Sequence, residues 1–183
     1  MYKGLLILFL NLVVAVNCFS QETVVWLVRH AEKQTAETMT ANPELTPQGL
    51  KRAEDLSATL NNRKITAIYS TAYKRTLATA NPLAVKRKLE PMTYSVKNLE
   101  EIAKKVLANH KGQEVLIVGH SNTLLPVMKA LGADTPFTEL TDDDYDMLFK
   151  VTVPEKGTAK LSISYYGEPH HTTQIPPQFT GKP

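Results

Sequence analysis

Two arginines and two histidines stand out because each sits at or just beyond the end of a short apolar run. VVWLV (24–28) leads into Arg29 and His30, IYS (68–70) precedes Arg75 by little more than a helix turn, and EVLIVG (114–119) ends at His120. Guanidinium groups are permanently charged forks that match phosphate oxygens two at a time. An imidazole can attack phosphorus or carry a proton near neutral pH. Each residue alone has an ordinary explanation: a solvated strand end, a water-facing helix arginine, a satisfied structural histidine. Those explanations fit poorly when three separate runs deliver the same chemistry. The chemistry that suits them together is phosphoryl transfer. One imidazole attacks in line to give a phosphohistidine that water later hydrolyses, while the other imidazole and the arginines stabilise the equatorial oxygens. The fixed cations do the electrostatic work of a metal, so no metal or cofactor is expected. Ser121 and Asn122, opening a helix after His120, would add backbone amides where an anion is favoured.

Such a site requires the three runs to be strands of one sheet, because ligands of open parallel sheets bind outside the carboxyl ends of the strands. Apolar runs alternate with amphipathic stretches throughout, which predicts a three-layer α/β/α domain with a mostly parallel central sheet. Strands are expected over 23–28, 64–69 and 114–119, with a weak edge strand at 91–94 and a pair over 147–153 and 158–165. A helix begins at Pro47 behind the cap Thr46 and presents Leu50, Ala53, Leu56 and Leu60 on one face. Further helices are expected over 72–88, kinked or split by Pro82, over 97–109, and over 122–131 with Pro126 near its start. The domain spans 21–166. Residues 167–183 hold four prolines and few aliphatic residues, and are expected to form a loose tail.

The formal net charge is +3 with no polybasic run, which argues against general nucleic-acid binding. Residues 1–20 read as a secretory signal peptide: Lys3, an apolar run from Leu5 to Val16, then Cys18-Phe19-Ser20 before a cut ahead of Gln21. The run is too short for a spanning helix. This predicts a secreted or periplasmic protein. Lipidation at Cys18, which would tether the mature form to a membrane, and an uncleaved anchor are the alternatives. Cleavage removes the only cysteine, excluding a thiol nucleophile or a thiolate metal site.

Four segments, VRHAEK, LTPQGLKRAEDL, IYSTAYKRTLATA and VLIVGHSNTLLPVM, together resemble the histidine phosphatase superfamily, which includes the phosphoglycerate mutases. The resemblance covers about 24–131 and continues weakly through DYDMLFKVT. The family's Arg-His-Gly motif appears as Arg29-His30-Ala31. The resemblance implies a phosphoglycerate-mutase-like fold and a small-molecule phosphomonoester substrate. It makes His30 the phosphorylated nucleophile, with Arg29, Arg75 and His120 completing the phosphate pocket.

Two departures matter. Family members often carry a proton-donating carboxylate between the second arginine and the second histidine. Here that interval offers Glu90, Glu100 and Glu101, and the last two read as helix-surface charges. Glu32 is therefore taken as the donor, with Asp144 and Asp146 as rivals. The second departure is the lack of an insertion long enough for a lid. A mutase must shield and reorient an intermediate, so a phosphatase is expected over a phosphomutase or phosphotransferase. A phospho-ligand-binding module without turnover is the alternative outside enzymes. His170-His171 reads as part of a solvated tail, since adjacent histidines do not converge easily on one ion. Tyr145 and Phe149 either wall the substrate pocket or pack the last strands, and His110 reads as a helix-end charge.

Overall fold

Strand β1 (Thr23–Arg29) is apolar at every position from Val24 to Val28 because both faces of the sheet are covered. A computed structural model of the chain describes residues 22–35 and 41–183. The signal reading over 1–20, with Cys18 and Ser20, lies outside the described residues. After β1 come α1 (Pro47–Thr59), β2 (Ile65–Ser70), α2 (Lys74–Arg87), β3 (Met92–Thr93), α3 (Leu99–Asn109), β4 (Glu114–Gly119), α4 (Ser121–Ala130), β5 (Met147–Val153) and β6 (Lys160–Tyr165). The sheet order is β3-β2-β4-β1-β5-β6. The first four strands in that order run parallel; β5 is antiparallel to β1, and β6 pairs antiparallel with β5.

Alternation along β1 divides the core. Val25 and Leu27 pack with Ile102 and Val106 of α3 and Leu124 and Met128 of α4. Trp26 and Val28 pack on the other face with Leu56 of α1 and Leu83 of α2. This is the expected three-layer α/β fold, with the antiparallel pair at one edge.

Register sets the rim. Arg29 pairs with Gly119 and Ser70 with Val118, so β1, β4 and β2 end level with one another. The His30 amide donates to the Gly119 carbonyl at 2.9 Å, carrying the β1–β4 ladder one step into the loop. A Cβ on Gly119 would stand 2.7 Å from the Thr123 hydroxyl and 2.8 Å from the Tyr94 hydroxyl, so only glycine lets α4 start so close to the strand.

Three local expectations change. Helix α2 starts at Lys74, two residues later than expected, and runs unbroken through Pro82 at the cost of one helical hydrogen bond. Helix α4 starts at Ser121, with His120 itself at the cap. The largest change concerns residues 167–183, which are not a loose tail but a strap fastened across the edge of the sheet. The Asp144 carboxylate accepts from the backbone amides of Thr172 at 3.0 Å and Thr173 at 2.9 Å and from the Thr173 hydroxyl at 2.7 Å. It also holds the Thr141 amide and hydroxyl, at 2.8 and 2.9 Å. Burial pushes its carboxyl up, but the Thr173 and Thr141 donors outweigh burial and hold it below the usual carboxylate range. Farther along, Gly181 donates to the Ile163 carbonyl of β6 at 2.8 Å, and Ile175 and Phe179 pack on the core. Asp144→Ala should therefore cost about 2–3 kcal/mol by orphaning charge-assisted donors. Denaturant melts and cleavage by a protease within 167–175 would report it, and wild-type values in both would disprove the strap.

Candidate active site

The four basic side chains meet at that rim. They line one cavity of about 470 Å³ together with Ser121 and Asn122, the two residues opening α4. His30 is 3% exposed, and its Nδ1 lies 2.8 Å from the Ala31 carbonyl. A carbonyl can only accept, so Nδ1 carries the proton and Nε2 keeps its lone pair. The loop that places the ring is fixed from α2: the Ala31 amide donates to the Thr79 hydroxyl at 2.9 Å, and that hydroxyl donates to the Arg75 carbonyl at 2.7 Å.

The His30 and His120 rings lie 5.3 Å apart, edge to face. His120 Nδ1 faces Arg75 Nη2 at 3.4 Å and must accept from it, which puts the proton on Nε2, 2.9 Å from the Thr71 hydroxyl. Thr71 in turn meets Thr76 at 2.9 Å, and Thr76 can close the chain on the Thr71 or Tyr73 carbonyl. The His120 backbone amide donates to Thr123 at 2.8 Å.

Arg29, also 3% exposed, donates from Nη1 to the Thr141 carbonyl at 2.8 Å and from Nη2 to Asp142 at 2.9 Å. Its guanidinium lies 4.1 Å over the Tyr145 ring, and Arg75 lies 4.4 Å over Tyr73. Among the described residues, neither arginine's buried Nε has a hydrogen-bond partner, so each fork holds donor capacity in reserve.

Electrostatics follows from this crowding. Burial, then the charges of Arg29 and Arg75 and the neighbouring His120, push His30 down to about 3 against the pull of the Ala31 carbonyl. Burial, then Arg75, Arg29 and Lys33, push His120 down to about 4. Both imidazoles are neutral at pH 7.

Glu32 does not belong to this cavity, which corrects its expected role as proton donor. It is 5% exposed, and both its oxygens receive Arg52 Nε, at 2.8 and 3.0 Å. Oε1 also takes Arg52 Nη2 at 2.7 Å and His170 Nδ1 at 2.8 Å. Burial pushes its carboxyl up, but Arg52 and His170 win and hold it below the usual range. An ionised group with no free oxygen has no proton to give. The rivals are committed too: Asp144 fastens the strap, and Asp146 holds the His170 amide at 2.9 Å and His171 Nδ1 at 2.7 Å. His170 and His171 are therefore clasps, not a solvated pair. Glu90, Glu100 and Glu101 are exposed and outside the cavity lining. Phe149 packs in the core, Tyr145 backs Arg29, and His110 binds the Tyr69 hydroxyl at 3.0 Å.

Thr71, Tyr73, Lys33 and Asp142 also stand at the site, although no strand end or motif in the sequence marks them. Thr71 and Tyr73 lie in the segment between Ser70 and Arg75, and their nearness in sequence to Arg75 was the one available signal.

Residues 25–103 match the family profile described as the histidine phosphatase superfamily (branch 1). No curated protein matches the chain. Among solved structures, a mycobacterial glucosyl-3-phosphoglycerate phosphatase superposes with a TM-score of 0.61 at 11% identity, covering 79% of this chain and 98% of that one. YhfR of Bacillus stearothermophilus gives 0.60 at 19% identity, over 78% and 96%. A phosphoserine phosphatase mutant from Entamoeba histolytica, solved with phosphoserine, gives 0.51 at 14%, over 73% and 95%. At these identities the likeness is one of fold.

Proposed function

We propose, from the match of residues 25–103 to the histidine phosphatase superfamily profile, that this chain is a member of that family and hydrolyses small phosphate monoesters through a phosphohistidine on His30. The observation that carries the reading is the state of His30. It is buried among cations, neutral, and locked by Ala31 into the tautomer whose Nε2 can attack. A module that only bound phosphate would gain from a cationic imidazole. This pocket gives up that charge and keeps a nucleophile instead.

Arg29, Arg75 and the amides of Ser121 and Asn122 hold the phosphoryl oxygens while His30 Nε2 attacks in line. As phosphate draws Arg75 toward itself, the incoming phosphoryl charge lets His120 Nδ1 take a proton from solvent, turn from acceptor to donor and support the transferring group. Each such fixed donor contributes about 3 kcal/mol to transition-state stabilisation. Water then attacks the phosphohistidine and releases phosphate.

Hydrolysis is favoured over mutase action by the exit route. A groove that shares Val96 and Leu99 with the cavity adjoins it, lined by Lys97, Lys129 and the Lys104–Glu100 pair, and gives an alcohol a way out instead of a second transfer. With Lys104 paired to Glu100, the ammonium groups of Lys97 and Lys129 favour leaving groups that carry a negative charge. We further propose export after cleavage near Ser20; amino-terminal sequencing of the mature protein from cell fractions tests it.

The central test is turnover of a phosphomonoester panel by the mature chain without added metal, with esters of anionic alcohols showing the lower KM. Because the unprotonated His30 is the reactive form and its pKa is held at about 3, protonation removes activity only at low pH. The acid limb of kcat/KM, corrected for substrate ionisation, should lie near pH 3. A limb near the ordinary histidine value would refute the desolvated nucleophile.

A further inference from the structure

With Glu32, Asp144 and Asp146 committed elsewhere, the proton for the leaving oxygen must come from another group. Asp142 is the one carboxylate among the described residues that line the cavity. Its Oδ1 lies 2.9 Å from Arg29 Nη2, and the pair is lopsided: the arginine is 3% exposed and the aspartate side chain 85%. Its neighbour Thr141 is pinned, through its amide and hydroxyl by Asp144 and through its carbonyl by Arg29 Nη1. The backbone at Asp142 is thus held at the rim while its side chain is free to turn.

We propose that Asp142 is the general acid of this phosphatase, and that the substrate's own phosphoryl group releases it from Arg29. The inference rests on the hydrolytic reading above. A phosphate dianion entering the cavity competes with Asp142 for the same Nη2 and carries the greater charge. Displaced, the carboxylate no longer faces Arg29 Nη2 and stands free at the rim beside the bound ester. The acid is therefore armed only when a phosphoryl group is in place.

The steps balance. The His30 Nε2 lone pair forms the N–P bond as the P–O ester bond breaks, its electron pair going to the ester oxygen. The Asp142 proton moves to that oxygen, and the neutral alcohol leaves. In the second half, the Asp142 carboxylate takes a proton from water as the water oxygen attacks phosphorus. The P–N electron pair returns to Nε2. As phosphate departs, Asp142 gives up its proton and returns to Arg29, so the ion pair that delays entry also speeds release.

The test is Asp142→Asn, assayed on esters ranging from nitrophenyl to simple alkyl phosphates, with inorganic phosphate binding measured by titration. The loss in kcat should grow with leaving-group basicity and reach about 10²-fold or more on alkyl esters. Phosphate should bind several-fold more tightly, because its competitor for Arg29 has lost its charge. Asp142→Glu should recover part of the alkyl-ester rate. An equal loss on every ester, or weaker phosphate binding, overturns the role of Asp142 while leaving the phosphatase standing. A wild-type chain that turns over none of the esters overturns the hydrolytic reading itself.

Discussion

His30→Ala should lose on the order of 10⁴-fold or more in kcat on every phosphate ester, since removing a covalent nucleophile leaves only binding and electrostatic stabilisation. The same variant should still bind inorganic phosphate, because Arg29, Arg75 and the first turn of α4 remain in the cavity. Binding without turnover separates loss of the nucleophile from collapse of the pocket. In the wild type, a rapid quench during turnover should trap phosphate covalently on His30; in the variant it should trap none. Turnover close to wild type, or a phosphoryl group trapped on another residue, would end the phosphohistidine mechanism. The size of the expected loss follows from geometry. Nε2 is the one basic atom of the ring not spent on the Ala31 carbonyl, and the second imidazole, with rings 5.3 Å apart, already serves Thr71 and Arg75. No neighbour among the described residues stands ready to substitute.

The rim was legible in the sequence because it is built from strand ends. A buried strand must be apolar, so the first charged or ring-bearing residues after VVWLV and EVLIVG mark where the chain leaves the core, and parallel pairing sets those exits side by side. The layers were legible for the same reason. What escaped was held by polar contacts, which have no period. On α1, spacing put Leu50 in the core face beside Ala53, Leu56 and Leu60. Leu50 is 54% exposed, whereas Arg52 is 2% exposed. The helix face is rotated toward Glu32, and a buried ion pair between residues 20 apart leaves no hydrophobic trace. The strap over 167–183 is fastened by Asp144 and Asp146, so its composition imitates a free tail. The stretch TDDDYD offers chemically equivalent carboxylates that differ only in their neighbours: Asp142 meets Arg29, Asp144 meets Thr172 and Thr173, and Asp146 meets the two histidines. Sequence places a carboxylate near the cavity; the fold decides which one reaches it.

Glu32→Gln is expected to cause the largest loss of stability of any single change at this end of the sheet, and little change in chemistry. Arg52 is 2% exposed and spends its remaining donors on the carbonyls of Tyr166 at 3.1 Å and Glu168 at 2.9 Å. Removing the opposing charge leaves a buried guanidinium uncompensated, which costs about 3–5 kcal/mol, or about 10 °C in Tm for a chain of this length. The pH dependence gives the sign. Glu32 has a folded pKa below its ordinary 4.5, so its contribution is fully present above that value and is lost as pH falls through the folded value. The stability gap between wild type and variant should therefore be widest near neutral pH and close in acid, which denaturant melts across that range would record. A gap that stays constant into acid would mean that shape rather than charge holds Arg52. The activity measurement is equally discriminating. At temperatures where both proteins are folded, the variant should lose rate evenly across leaving groups, if at all, whereas a loss that steepens with leaving-group basicity would return the general acid to Glu32 and remove it from Asp142.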